Sequence, residues 1–435
     1  MLLLIAVLIP APAIADPDPR PFFDRLKAAR ALMARGELQA ARTEFRALDL
    51  EMDGHPSAIW SLAQIAARLG ERDEAIARLM DYAAMGLARS PRRDSSFTAL
   101  AGHPRFEAVA KRLEENAGTM PDTASLRRRE PFATLKDPGL LAEDLARDPR
   151  TGLVYVSSIH RRKVIAVEPS GSVRDFVGSA RNGVWGIYAL ALDTTGDRLW
   201  GSTAASPAHE NFVAADSGRT AVLAWDLRTG EERVRVELPR DGTPHVLGDI
   251  TLGADGTLYA SDSVGGGLYA LRPGAASFDT LAAPGTFGNP QGILEVEPGK
   301  RLLVADYPRG LILFELERRR ATPVRKSKNL ALVGIDGLAR GERSAGFLKF
   351  FAIQNGIRPA RILSLRYHFE PSGVAGGILE RLDSSLGETS HAVPDGGDLL
   401  LIGNSGWERV NEREELQTDD KSSSPFLFWI RPPHR

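Results

Sequence analysis

Six times between residues 140 and 435 the chain repeats one pattern: an apolar segment, a short polar turn carrying Gly, then a strand rich in Leu, Val and Tyr. The copies are EDLARDPRTGLVYVSS from Glu143, IYALALDTTGDRLWGSTAA from Ile187, GDITLGADGTLYASDS from Gly248, PQGILEVEPGKRLLVADY from Pro290, IDGLARGERSAGFLKFFAIQ from Ile335 and SHAVPDGGDLLLIGNS from Ser390. Their turn glycines, Gly152, Gly196, Gly256, Gly299, Gly346 and Gly397, stand 44, 60, 43, 47 and 51 residues apart. A period of this length with several short strands per unit marks the blades of a β-propeller. The expected fold is therefore mainly β: a six-bladed β-propeller over residues 131–435, preceded by a small all-α domain. A short apolar strand in PFATLK (131–136) and another in PFLFWI (425–430) are placed to close the ring, the first completing the last blade and leaving no open sheet edge.

Ahead of the propeller the periodicity changes. Residues 22–50 and 57–89 are rich in Ala, Leu, Arg and Glu with apolar spacings of three and four, the pattern of amphipathic helices. Two of these segments align at an offset of 34 residues, Gly36 with Gly70, Glu37 with Glu71, Ala41 with Ala75 and Phe45 with Leu79. Helix pairs repeating at that period look like tetratricopeptide repeats, here over residues 20–116 with a capping helix near 97–115. Such repeats offer a groove for a protein partner, or they steady the propeller. Residues 117–130, with Gly118, Pro121 and a charged end, read as the linker.

Charge excludes one class of partner. With 55 Lys and Arg against 56 Asp and Glu, the chain has no overall field to attract nucleic acid or anionic lipid. Residues 1–15 are apolar, uncharged and end in Ala13-Ile14-Ala15, the small-x-small pattern of a secretory cleavage site, and they are too short to span a bilayer. The reading is a signal peptide over 1–15, a periplasmic or secreted mature chain and no membrane insertion. The absence of Cys removes disulfides, zinc–thiolate sites and a thiol nucleophile.

A propeller brings its innermost strands to a common axis, so the starts of the repeats are where side chains distant in sequence converge. The residues there resemble those of the six-bladed calcium-dependent lactonases and esterases, the paraoxonases and the gluconolactonase/senescence-marker group. Glu143 and Asp144 open the first blade as the paraoxonase blade opens. Asp249 in GDITLGADGTLYASDS, Asn289 and Gln291 in NPQGILEV, and Asp336 in IDGLA continue the likeness, the last resembling the Asp-Gly-Leu segment of the gluconolactonase group. The resemblance implies a Ca2+ ion held by Glu143, Asp249, Gln291 and Asp336 at matching positions of four inner strands. Oxygen donors from carboxylates and amides suit that hard cation. Three departures stand out: Gly248 occupies the place of the blade-three Asn, Gln291 that of the blade-four Asn, and Val184-Trp185-Gly186-Ile187 the place of a segment carrying a paraoxonase His. Asn289 would replace Gln291 if the strand slipped by two.

His245 and His391 are the histidines placed nearest the expected axis, and imidazole titrates where a general base must; both are candidate catalytic residues. Asp262 and Asp306, at strand ends, read instead as anchors for the amides of the next turn. The resemblance implies a metal-dependent hydrolase of lactones or related esters. The alternative is a non-catalytic periplasmic scaffold that presents propeller and helical repeats to a partner. The loops at 203–219 and 407–424 are expected to rim one face and carry specificity.

Overall fold

The computed structural model describes residues 22–118, 128–419 and 422–431. The apolar segment 1–15 and most of the linker expected at 117–130 lie outside the described residues. Five α-helices come first: α1 (Phe22–Ala34), α2 (Leu38–Glu51), α3 (Pro56–Arg68), α4 (Arg72–Ala84) and α5 (Pro104–Ala117). The turns after α1 and α3 hold Gly36 and Gly70 at φ of 81° and 79°, a left-handed conformation that glycine adopts without Cβ strain. Among the described residues no helix is long and apolar enough to cross a membrane.

Six four-stranded antiparallel sheets follow, and they form the six-bladed propeller. The inner strands of the first five blades are Ala142–Arg147, Gly186–Asp193, Leu247–Leu252, Pro290–Glu297 and Leu338–Arg343. The sixth blade begins with Ala392–Asp395 and Asp398–Gly403, continues with Phe426–Arg431 and is completed by Arg128–Thr134 from the other end of the chain. Arg128 pairs with Arg431 and Thr134 with Phe426, so backbone hydrogen bonds seal the ring as the sequence predicts.

The apolar runs of the middle strands follow from burial on both faces. In blade one Val154, Val156, Ile165 and Val167 pack toward blade six, against Leu400, Ile402 and Leu427. Their alternates Tyr155, Val164 and Ala166 pack toward blade two, against Leu190, Leu223 and Trp225. Each blade is thus a layer in a closed stack, and no blade's inner faces are complete without both neighbours.

The helical unit rests on the propeller face that carries the starts of the inner strands. His55 Nε2 lies 2.9 Å from the carbonyl oxygen of Pro308, Ala88 N–H donates to Arg358 O at 2.9 Å, and buried Arg361 donates to Met85 O at 2.8 Å. Ile59, Met85 and Leu87 share an apolar cluster with Ala331.

Candidate metal centre on the propeller axis

The geometry of the axis begins with a repeated irregularity. In blade one Ala142 pairs with Ser158 and Leu145 with Val156, so Glu143 and Asp144 together oppose the single residue Ser157. The same register shift recurs at Tyr188–Ala189 in blade two and at Gln291–Gly292 in blade four, with a shift at Gly248 in blade three. A bulge of this kind re-aims side chains that would otherwise alternate between the sheet's faces. Serines on the second strand hold it in place: Ser157 Oγ accepts from Asp144 N–H at 2.9 Å and donates to Tyr188 O at 3.0 Å, and Ser202 Oγ accepts from Ala189 N–H at 3.0 Å.

The bulges sort the axial side chains into two sets. Glu143, Tyr188, Gly248, Gln291 and Asp336, one from each of blades one to five, line a cavity of about 280 Å3 together with Tyr307, Asn355, Glu388 and Trp407. Asp144 and Asp249 occupy the next position of their strands and turn to neighbouring blades. Asp249 is therefore in register with Asp144, one residue beyond the position shared by Glu143, Gln291 and Asp336. The expectation of four residues at matching positions is corrected for Asp249, because at the bulge two successive residues oppose one partner and the strand period alone does not separate them.

Glu143 and Asp336 are buried, 6% and 9% exposed. One oxygen of each is engaged: Glu143 Oε2 accepts from Trp407 Nε1, and Asp336 Oδ2 accepts from Asn355 Nδ2 at 2.6 Å. Asn355 is itself oriented, since its Oδ1 accepts from Tyr307 Oη at 3.1 Å. Gln291 donates its Nε2 to Asn289 Oδ1 at 2.8 Å, and Asn289 donates to Ser263 O at 2.9 Å. This relay leaves Gln291 Oε1 without a hydrogen-bond partner among the described residues, toward Gly248, where an added Cβ would stand 3.5 Å from it and 2.9 Å from Ser263 Oγ. Asn289 spends its amide on that relay and is not among the residues lining the cavity, so the strand does not slip in its favour.

Electrostatics mark the same place. Burial, and then Asp336, pushes Glu143 up to about 8; burial, and then Asp144, raises Asp336; burial raises Asp249 to about 7. Among the described residues no Lys or Arg forms an ion pair with Glu143, Asp144, Asp249 or Asp336, and His391 is the positively ionisable group acting on all four. His391 is 6% exposed and neither ring nitrogen has a hydrogen-bond partner among the described residues. One of its nitrogens and single oxygens of Asp144 and Asp249 lie within 4.8 Å of one another. Burial lowers its basicity, but Asp144, Asp249, Asp336 and Glu143 outweigh that and raise it to about 9.

His245 is not brought to this cavity. Its Nδ1 lies 2.6 Å from Asp262 Oδ2 and its Nε2 3.0 Å from Asp241 Oδ1, which makes it a buried loop anchor with both nitrogens engaged. Asp262 and Asp306 hold backbone amides, Asp262 those of Val246 and Gly265 and Asp306 those of Gly288 and Asn289.

Sequence reasoning missed Glu388, Asn355, Tyr307 and Trp407. Burial, then Asp336 and Glu408, raises Glu388 to about 7, and its carboxylate has no hydrogen-bond partner among the described residues. A signal existed for two of the four: Tyr307 and Asn355 each follow the strand-end position of Asp306 and Gln354, which recurs in the repeat. Glu388 and Trp407 come from irregular loops, where no period applies.

No protein-family model matches the chain, and no curated protein matches it. Similar solved structures include virginiamycin B lyase from Staphylococcus aureus, 10% identical with a TM-score of 0.43 over 70% of this chain and 99% of that one. A gluconolactonase from Xanthomonas campestris is 14% identical with a TM-score of 0.45 over 72% and 93%. Regucalcin, a calcium-binding protein from Agrobacterium tumefaciens, is 18% identical with a TM-score of 0.44 over 69% and 96%. At these identities the likeness is one of fold.

Proposed function

We propose that the chain is a divalent-cation-dependent hydrolase of lactones or related esters, with Ca2+ held on the axis by Glu143, Gln291 and Asp336. The observation that carries this reading is the meeting of those three oxygen donors, from blades one, four and five, in one cavity without a Lys or Arg to neutralise them. Buried carboxylates are costly unless paired or coordinated, and two carboxylates with one amide carbonyl match the preference of a hard cation. Trp407 and Asn355 each hold one oxygen of the two acids, as outer partners of metal ligands do. Asp249, assigned to the ligand set by resemblance, is in register with Asp144 and is left out of the proposed set because both its oxygens accept from backbone amides.

Bound there, the cation would polarise the ester carbonyl and stabilise the developing oxyanion. The chain's own groups supply the rest. Glu388 has an unengaged carboxylate on the cavity wall, raised to about 7, the range in which a general base works. The base is assigned to Glu388 rather than to His391, which is not among the residues lining this cavity. His245 stands outside the cavity and takes no part. The two helix hairpins at an offset of 34 residues support the tetratricopeptide-like reading of the helical unit.

The test is hydrolysis of a panel of small lactones after chelation and calcium readdition. Calcium-dependent turnover that falls at least about 100-fold in Glu143→Gln and Asp336→Asn, and in kcat alone for Glu388→Gln, supports the proposal. Equal turnover in chelator, or in Glu143→Gln, would overturn it. Cation binding with no turnover would favour the scaffold reading.

A further inference from the structure

Away from the axis, on the seam between the helical unit and blade five, three arginines meet in one cavity. Arg361 and Arg381 are direct cross-strand partners in strands Arg361–His368 and Gly373–Arg381, where like charges repel, and Arg112 of α5 lines the same cavity of about 570 Å3. Each propeller arginine spends one amino group on a helix end: Arg361 Nη1 donates to Met85 O at 2.8 Å, just past α4, and Arg381 Nη1 to Gly118 O at 3.0 Å, just past α5. Donors remain. Arg361 is 1% exposed, its Nε goes to Gln354 and its Nη2 has no partner among the described residues; Arg381 Nε is buried without one. Among the described residues none of the three arginines pairs with a carboxylate, and the one acid on the wall, Glu115, lies 3.9 Å from Lys111. Burial, then Arg381, lowers Arg361 to about 10; burial, then Arg112, lowers Arg381. In both cases the neighbouring charge is of like sign.

We propose that this cavity binds a phosphate group, free or carried by a small molecule, and that the bound group clamps α4 and α5 to blade five. Three guanidiniums against one carboxylate leave two positive charges on the wall, which a phosphate, at about −1.5 to −2 near neutral pH, balances. Its terminal oxygens can accept from forks on both walls, whereas a carboxylate offers one edge and satisfies one fork. The volume is that of small-molecule sites, and a recess between two units has no room for a duplex or a bilayer. Gly377 on the propeller wall has no atom within 4 Å of where a Cβ would stand, so there is space for the remainder of a ligand. The cavity shares no lining residue with the axial one, so the inference stands apart from the hydrolase reading.

The test is a calorimetric titration of the full chain, stripped of metal and dialysed free of chelator, with inorganic phosphate, glycerol 3-phosphate and malonate at low ionic strength. The expected result is one phosphate per chain, bound at least about 10-fold more weakly by Arg381→Gln and also more weakly by Arg112→Gln, whose exposed position keeps the fold out of the comparison. Tighter binding of the ester than of the ion assigns a phosphorylated small molecule, and equal or weaker binding assigns free phosphate. Hydrogen exchange in α4 and α5 should slow on saturation, because a ligand that binds the docked state stabilises it. No uptake of either phosphate by the wild type, undiminished binding in both variants, or malonate bound more tightly than phosphate would overturn the site. Binding that leaves exchange in α4 and α5 unchanged would overturn the clamp.

Discussion

Asp144 and Asp249, two blades apart, perform the same task. Asp144 accepts from Leu145 N–H in its own strand and from Leu190 N–H in blade two, both at 2.7 Å. Asp249 accepts from Ile250 N–H at 2.7 Å and from Ile293 N–H in blade four at 2.8 Å. Each carboxylate ties the bulge of one blade to the bulge of the next, and so fixes where the cavity-lining residue before it points.

Removing either tie leaves two buried amides without acceptors. Asp144→Ala and Asp249→Ala should each cost about 2–6 kcal/mol, at about 1–3 kcal/mol per unpaired group, read by denaturant unfolding. A loss under about 1 kcal/mol would show that the bulges hold without them.

The metal-free protein should lose stability as pH rises. Glu143 near 8, Asp249 and Glu388 near 7 and His391 near 9 all bind protons more tightly folded than unfolded. Their contribution is fully present below the unfolded values and is lost as pH climbs through the folded ones, so stability falls across about pH 5–9. Because cation ligands must be deprotonated, calcium should restore more at about pH 8 than at about pH 5. Thermal melts in chelator and in calcium check both slopes; a flat or rising midpoint in chelator contradicts the assignment.

The ring depends on its seal. Deleting residues 128–134 removes the strand that pairs with Phe426–Arg431 and exposes a sheet edge. The variant should aggregate or lose its cooperative transition by calorimetry.

Arg361 pins the helical unit. It is 1% exposed, donates to Gln354 Oε1 at 2.6 Å and Met85 O at 2.8 Å, and burial lowers it to about 10. Arg361→Ala should cost about 2–4 kcal/mol and speed hydrogen exchange in α3 and α4 more than in the blades. Uniform acceleration would mean the contact stabilises the propeller alone.

The repeat made the blades, their closure and three cavity residues legible, because turn glycines and strand runs recur wherever a blade must pack on both sides. Asp249 was harder. GDI aligns with EDL in blade one, yet only the bulge shows that the first position lines the cavity while the second ties its blade to the next. His245 illustrates a different limit: four residues from Asp249 in sequence, it is drawn by Asp262 into a loop away from the cavity. Glu388 and Trp407 arrive from segments whose course is set by tertiary contacts.

The most direct measurement is a calorimetric calcium titration of the chelator-treated chain, wild type beside Asp336→Asn and Asp249→Asn. The account predicts one calcium ion per chain, binding lost or weakened at least about 10-fold in Asp336→Asn, and retained binding in any folded Asp249→Asn. Wild-type protein that takes up no calcium, or an Asp336→Asn variant that binds it undiminished, would contradict the axial site.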